Sequence, residues 1–503
     1  MQDDQSSTMD WKKLQNGSDI RGIALAGVEG ESVNLTAEAT ETLGRAFAAW
    51  LTEKNGKTEL TIAVGCDSRL SSPELVKAFT EGAASAGCRV LDFGMASTPA
   101  MFMSTIDAEL RIDGAVMVTA SHLPWNRNGL KFFTAAGGLD KGDIQRMLEL
   151  APLLHEKAER KEGGSIGRFD FMQRYGEMLV EYIRQGAGIG DLPLKGMKIL
   201  VDAGNGAGGF FVDRVLKPLG ADTTGSQFLD PDGRFPNHVS NPEDKEAMEA
   251  ICKAVRQHGA DLGIIFDTDV DRSAIVGRNG APINRNALIA LIAAVILREH
   301  PGSSIVTDSV TSDGLAEFIA HRQGIHHRFR RGYKNVINEA IRLNGLGQES
   351  WLAIETSGHA ALRENHFLDD GAYLVAKLLI EAARLRAEGK ELQDLIADLR
   401  QPCESKEIRF GISNADFKGY GLRVLDHLKD SCATQPGWQL VVPNHEGVRI
   451  ACTAPDERGW LLLRQSLHDP VLPLNIESDV DGGVARIEQR VMKLLAEFGD
   501  LKR

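Results

Sequence analysis

Residues 114–124 read GAVMVTASHLP. The stretch Gly114 to Val118 is short, apolar and β-branched in part, the pattern of a buried strand. Pro124, Asn126, Asn128 and Gly129 follow as turn formers. Ser121 is therefore expected on a loop leaving a strand's end, where α/β sheets gather their ligands. A serine hydroxyl there, beside His122 and close to Lys131, can carry a transferable group. An ordinary Thr/Ser turn with a surface histidine is the plain alternative.

Outward from this stretch the chain repeats one rhythm. Leu60 to Val64 reads as a strand running into the loop GCDSR (65–69). A helix follows, with Ser72 as N-cap, Pro73 in its first turn and Gly87 as its stop, and Arg89 to Phe93 forms the next strand. Strand, helix, strand is the signature of a largely parallel sheet covered by helices. The rhythm restarts at Met197 to Val201, with a glycine-rich loop DAGNG (202–206) and a helix from Gly209 to Leu219. That loop lacks the Lys-Ser/Thr ending of a nucleotide P-loop. A third restart gives a strand at Ser304 to Thr307, a helix at Asp313 to His321, a strand at Trp351 to Ile354 and a long helix from about Asp369 to Glu388. After Cys403 the pattern changes to strands near 440–442, 448–450 and 460–463, closed by an amphipathic helix from about Gly483. The expected architecture is three similar α/β/α domains with mixed, largely parallel sheets, and a smaller C-terminal α+β domain. The expected segments are 1–165, 166–285, 286–405 and 406–503.

Three further strand-end loops carry candidate chemistry. Leu262 to Phe266 reads as a strand that delivers Asp267, Asp269 and Asp271 at alternate positions. Three carboxylates held close repel one another unless a cation sits among them. Hard oxygen ligands with open positions suit Mg²⁺ acting on phosphate. An EF-hand is excluded, because its sixth position is Arg272 and its twelfth Arg278. A haloacid-dehalogenase-type phosphotransferase fits poorly with Asp271 at the fifth position. In the loop ETSGH (355–359), Glu355 and Ser357 can accept from and donate to sugar hydroxyls, and His359 can join a phosphate or hydroxyl contact. In RQSLHDP (464–470), Arg464, Ser466 and His468 alternate and can converge on a phosphate.

Composition bounds the rest. The chain has 503 residues, is 43% hydrophobic and 25% charged, and carries a net charge of −13, which argues against broad nucleic-acid or anionic-membrane binding. Its six cysteines form no CxxC pair, as expected in a reducing compartment. The first residues hold no apolar leader, and the longest apolar run, Ala287 to Leu297, is too short to span a bilayer. A cytoplasmic location is expected.

Taken in order, TASHLP (119–124), DTDVDR (267–272), ETSGH (355–359) and RQSLHDP (464–470) resemble the four signature loops of the α-D-phosphohexomutase family, which includes phosphomannomutases, phosphoglucomutases and phosphoglucosamine mutases. The resemblance implies four domains around a central cleft and an intramolecular phosphotransferase. Such an enzyme interconverts hexose 1-phosphate and hexose 6-phosphate, of mannose or glucose, through a 1,6-bisphosphate that also serves as activator. It implies that Ser121 carries the phosphoryl group and shares Mg²⁺ with Asp267, Asp269 and Asp271. Arg272 would steady the phosphate, and Arg21 and Lys131 would lie near the proton transfer, for which Lys131 and His122 are both candidates. Lys334, in Gly332-Tyr333-Lys334, would contact the substrate along with Glu355, Ser357 and His359. Arg464, Ser466 and His468 would hold the phosphate not being transferred. The chain departs from the family pattern at Leu123, at Thr268 and, most of all, at Leu467, His468 and Asp469. Phosphoglucosamine mutase, a non-catalytic sugar-phosphate-binding protein and a metal-dependent phosphatase are the alternatives. No oligomeric state is expected from the sequence.

Overall fold

A computed structural model describes residues 9–156, 161–466 and 469–503. The described residues form four sheets in two compact units. The first unit takes in the chain up to Asn284 together with Ser357–Ala360 and Leu368–Glu391. The second takes in Arg285–Thr356, Ala361–Phe367 and the residues from Leu392 onward.

The first unit holds two sheets. In the larger, the strands Thr61–Cys66, Arg89–Met95, Gly114–Val118 and Ser165–Arg168 run parallel. Arg127–Thr134 and Asp19–Ile23 extend that sheet antiparallel on one side. The core between it and its helices is built from residues such as Phe47, Phe79 and Phe132. In the smaller sheet Ile199–Asp202 and Leu262–Phe266 are parallel, and Ser273–Gly277 returns antiparallel to the latter. All five residues of Leu262–Phe266 are buried, as an apolar run with no alternation requires.

Several expectations meet a different outcome here. The helix after Thr61–Cys66 begins at Ser72, but its cap position is Ser71, and the Ser72 hydroxyl donates instead to Asp67 Oδ1 at 3.2 Å. The segment 209–219 is helical as expected but irregular, an unbroken run that opens in a 3-10 turn at Ala207–Gly209, widens to a π-helix at Val212–Leu216 and tightens again to a 3-10 turn at Lys217–Leu219. Pro218 has no N–H for a continuous ladder. Asn128 and Gly129 lie inside a strand, not in a turn. Asn128 is buried and donates to the hydroxyls of Ser71 and Ser72, at 2.9 and 3.1 Å.

In the second unit the strands Ser304–Thr307, Ile325–Arg328 and Ser350–Ile354 are parallel, flanked by the helices Arg285–Glu299, Asp313–His321 and Tyr333–Gly345. The described strands between Glu404 and Lys502 form an antiparallel sheet, which shares a core including Ile450, Leu461 and Leu474 with the helices Phe417–Cys432 and Gly483–Leu495. The long helix expected from about Asp369 spans Gly371–Ala387 and belongs to the first unit, capped by Asp370. It packs on Phe171–Ala187, where Tyr182 and Tyr373 stack at 4.5 Å. Among the described residues no helix is long and apolar enough to cross a membrane.

Candidate active site

The apolar strand Gly114–Val118 ends at a loop in which Ser121 adopts a left-handed backbone, φ 52. A non-glycine residue held there is strained, and such strain gathers at working sites. Ser121 Oγ lies 3.3 Å from Asp267 Oδ2 and 3.2 Å from His122 Nδ1. Asp267 comes from the end of Leu262–Phe266, so two strand ends meet at this hydroxyl.

Asp267, Asp269 and Asp271 are all buried, and each offers an oxygen within 4.8 Å of the others. The left-handed residue of their loop is Val270, φ 67, and not Thr268. Lys131, on Arg127–Thr134, reaches Asp269 Oδ2 at 2.8 Å and Asp271 Oδ2 at 2.6 Å. Thr98 Oγ1 also donates to Asp269 Oδ2. The other oxygens, Asp269 Oδ1 and Asp271 Oδ1, are buried without a hydrogen-bond partner among the described residues. Burial, then the charges of Asp271 and Asp269, pushes the Asp267 carboxyl well above the usual range. For Asp271 burial acts the same way, but Lys131, His359 and Arg272 outweigh it and hold its pKa down. A carboxylate trio with two orphaned oxygens and one carboxyl that resists ionising is short of positive charge. That donor set fits a hard divalent cation.

Arg272 is 2% exposed and spans the site. Its Nε donates to Asp267 Oδ2 at 3.2 Å, its Nη1 to Asn241 Oδ1 at 3.1 Å, and its Nη2 points at Ser121 Oγ from 3.5 Å. Nη2 also donates to His122 Nδ1 at 2.8 Å. A guanidinium has no lone pair to offer, so that ring nitrogen must be the acceptor and the imidazole is neutral. Burial, followed by the nearby charges of Arg272 and Arg21, takes the His122 pKa down to about 3. Arg21 lies on Asp19–Ile23, opposite Gly129 in the register, and pairs with Asp19 at 3.0 Å.

His359 sits on the other side of Asp271. Its Nδ1 is 2.6 Å from Asp369 Oδ2 and 4.0 Å from Asp271 Oδ1. Burial opposes its charge, but Asp369 and Asp271 outweigh burial and raise its pKa to about 9. Ser357, in the same segment of the first unit, is buried with its hydroxyl unpartnered among the described residues.

Ser121, His122, Lys131, Arg21, the three aspartates, Arg272 and His359 thus gather in the first unit. Glu355, Lys334, Arg464 and Ser466 belong to the second unit. There Glu355 Oε1 accepts from the Gly332 amide at 2.6 Å, which ties it to the loop that opens helix Tyr333–Gly345, with Lys334 in the first turn. Arg464 is buried with its Nε lacking a hydrogen-bond partner among the described residues, and burial and then Arg331 lower its pKa. Ser466 Oγ accepts from the Asp469 amide at 3.3 Å. His468 lies outside the described residues. Sequence reasoning did not single out Thr98, Asp369 or Arg69 as site residues. Asp369 and Arg69 stood in stretches already noticed, a helix start and a strand-end loop, whereas nothing local marks Thr98.

Residues 12–151, 175–280 and 284–403 match the models for α/β/α domains I, II and III of phosphoglucomutase/phosphomannomutase. A phosphoglucomutase of Neisseria meningitidis is 30% identical over 473 residues, covering 94% of each chain. A phosphomannomutase/phosphoglucomutase of Pseudomonas aeruginosa is 30% identical over 471 residues, covering 93% of each. The crystal structure of a phosphoglucomutase/phosphomannomutase family protein from Burkholderia thailandensis superposes with a TM-score of 0.78 at 28% identity, covering 98% of this chain and 100% of that one.

Proposed function

Because the chain belongs to the phosphoglucomutase/phosphomannomutase family and is a mutase, we propose that it interconverts hexose 1-phosphate and hexose 6-phosphate, of mannose, glucose or both, through a phosphoryl group on Ser121. The observation that carries this reading is the placement of Ser121 Oγ, 3.3 Å from Asp267 and faced by Arg272.

Phosphoryl transfer asks the protein for position and charge neutralisation more than for covalent help. Asp267, Asp269 and Asp271, with an oxygen on Ser121, would hold Mg²⁺, which when bound draws charge from the phosphoryl group. Arg272 is already aimed at Ser121 Oγ and would take a phosphoryl oxygen there. The Oγ–P bond breaks as a sugar hydroxyl forms its own bond to phosphorus; the hydroxyl gives up its proton and Ser121 Oγ takes one up, so that one proton passes in net from sugar to serine. The product is a bound 1,6-bisphosphate, whose other phosphate returns to Ser121 after the sugar turns over. His122, neutral and with its Nδ1 lone pair turned to Arg272, is a poor proton acceptor and in this scheme orients Ser121. Lys131 balances the carboxylates from behind. Glu355, Ser357 and His359 would read sugar hydroxyls. Lys334 would contact the substrate, and Arg464, Ser466 and His468 would hold the idle phosphate.

The test is a coupled assay of mannose, glucose and glucosamine 1-phosphates, with and without the matching 1,6-bisphosphate, alongside intact-mass spectrometry. The scheme expects one added phosphate on the wild type, turnover that depends on activator, and neither in Ser121→Ala. Turnover by Ser121→Ala, or release of inorganic phosphate in place of isomer, would overturn it.

A further inference from the structure

Ser121 is gripped through its backbone as well as its side chain. Arg69, 1% exposed, lies in the loop that follows Thr61–Cys66 and turns its guanidinium onto the Ser121 loop. Its Nη2 donates to the carbonyls of Ser121 and Leu123, the latter at 2.7 Å. Its Nη1 donates to the carbonyls of Pro124 and Arg127 at 2.8 and 3.0 Å. One side chain thus gathers four carbonyls from seven consecutive residues. On the other face, the Ser121 amide donates to Thr119 Oγ1 at 2.9 Å. Both groups answer to Asp67, which pairs with Arg69 Nε at 3.4 Å and accepts from Thr119 Oγ1 at 2.6 Å. Phe235 lies against the guanidinium at 5.5 Å, and Gly233 lets its backbone close on residues 68–70, where a Cβ would meet Leu70 N at 2.4 Å.

This arrangement is more than a loop needs in order to be ordered. The peptide units on both sides of Ser121 are each fixed by a side chain, and the residue between them is held left-handed. Carbonyls converging on one guanidinium need its planar fork of donors, which an ammonium cannot reproduce. We propose that Arg69, oriented by Asp67 and seconded by Thr119, is a positioning residue that aims the Ser121 hydroxyl at Asp267. The inference rests on the phosphoserine reading above. It adds that phosphoryl transfer depends on a residue that touches neither substrate nor metal.

Arg69→Lys and the pair Thr119→Val and Thr119→Ser test it in the full-length enzyme, with Ser121→Ala as control. Misplacing a reacting atom by about 1 Å costs about 10²-fold in rate. Arg69→Lys is expected to lose kcat by about that factor, with KM changed less than about twofold, because the loss falls on the transition state. Its rate of Ser121 phosphorylation by glucose 1,6-bisphosphate, followed by intact mass, should fall in parallel. Should Arg69→Lys fail to fold, the threonine pair decides: valine should lower kcat with KM held, and serine, which keeps the hydroxyl, should restore it. Wild-type kcat in a folded Arg69→Lys or in Thr119→Val would overturn the assignment, as would a loss in Thr119→Val that serine does not restore. An active Ser121→Ala would instead remove the phosphoserine itself, whatever the clamp variants do.

Discussion

The ammonium of Lys131 stands 2.6 Å from Asp271 Oδ2, both groups almost wholly buried, and is shared with Asp269 at 2.8 Å. It therefore offsets carboxylate charge in a place where a divalent cation would do the same. Removing one partner of a buried ion pair costs about 3–5 kcal/mol. Lys131→Met should lose about that much stability in metal-free buffer, and should recover much of it when Mg²⁺ is added. Its Mg²⁺ affinity should rise, because a competing positive charge has gone. Urea unfolding with and without Mg²⁺ measures both. Equal Mg²⁺ stabilisation in variant and wild type would mean that lysine and metal do not share the same carboxylates.

Gly129 is a second point where the site depends on close packing. A Cβ there would meet the Ile20 carbonyl at 2.4 Å and the Thr119 carbonyl at 2.9 Å, both backbone atoms that cannot swing aside. The strand carrying Lys131 would have to part from the strand carrying Arg21. Gly129→Ala should destabilise by about 1–3 kcal/mol and lower activity through Lys131, read by denaturant midpoint and kcat.

Gly129 and its neighbour Asn128 also mark where sequence reasoning runs out. Ser304–Thr307 and Asp313–His321 were legible because their signals are local: a short apolar run, and Ser312 accepting from the Leu315 amide to start the helix. Asn128 and Gly129 read as a turn because a turn is what they favour by themselves. They lie in a strand because Ser71, Ser72 and Ile20, all distant in sequence, use the polar side chain and the missing Cβ. The site divides the same way. Three aspartates at alternate positions after an apolar strand mark a site that could hold a cation, and Ser121 stands out as a candidate by its strand end. Arg69, Asp369 and Thr98 act through partners they meet only in the fold, for example Thr98 on Asp269. No spacing rule could have assigned them.

The cysteines make a cheap check on burial. Cys66, Cys88, Cys252, Cys432 and Cys452 are buried, and Cys403 is exposed. Burial pushes the thiols of Cys66 and Cys88 up to about 12 and about 11, the former helped by Asp67 and Asp92. The thiolate is the reactive form. An aromatic disulfide reagent at pH 8 should titrate one thiol in the native enzyme and all the rest only after unfolding. Rapid reaction of a second thiol would place one of the five nearer to solvent than this fold allows.

His238 provides a pH signature away from the carboxylate trio. Its Nδ1 is 2.8 Å from the Val239 carbonyl, and its Nε2 is 3.0 and 3.1 Å from the two oxygens of Asp202. A carbonyl and a carboxylate only accept, so both ring nitrogens donate and the buried ring is an imidazolium. Burial works against that charge, but Asp202 outweighs burial and leaves the pKa above 6.5. Asp202 is fixed in turn by Gln227 at 2.7 Å and the Gly204 amide at 2.9 Å. A histidine whose folded pKa exceeds its unfolded value stabilises fully below the unfolded value, and loses that contribution as pH rises through the folded one. The wild type should therefore exceed His238→Gln in unfolding free energy by more at pH 6 than at pH 9, measured by urea denaturation at both. A gap that does not change with pH would mean that the ring is neutral and one of its two contacts is not a hydrogen bond. Asn241, three residues on, accepts from Arg272 at 3.1 Å, so a pH-dependent loosening of this loop should reach kcat as well as stability.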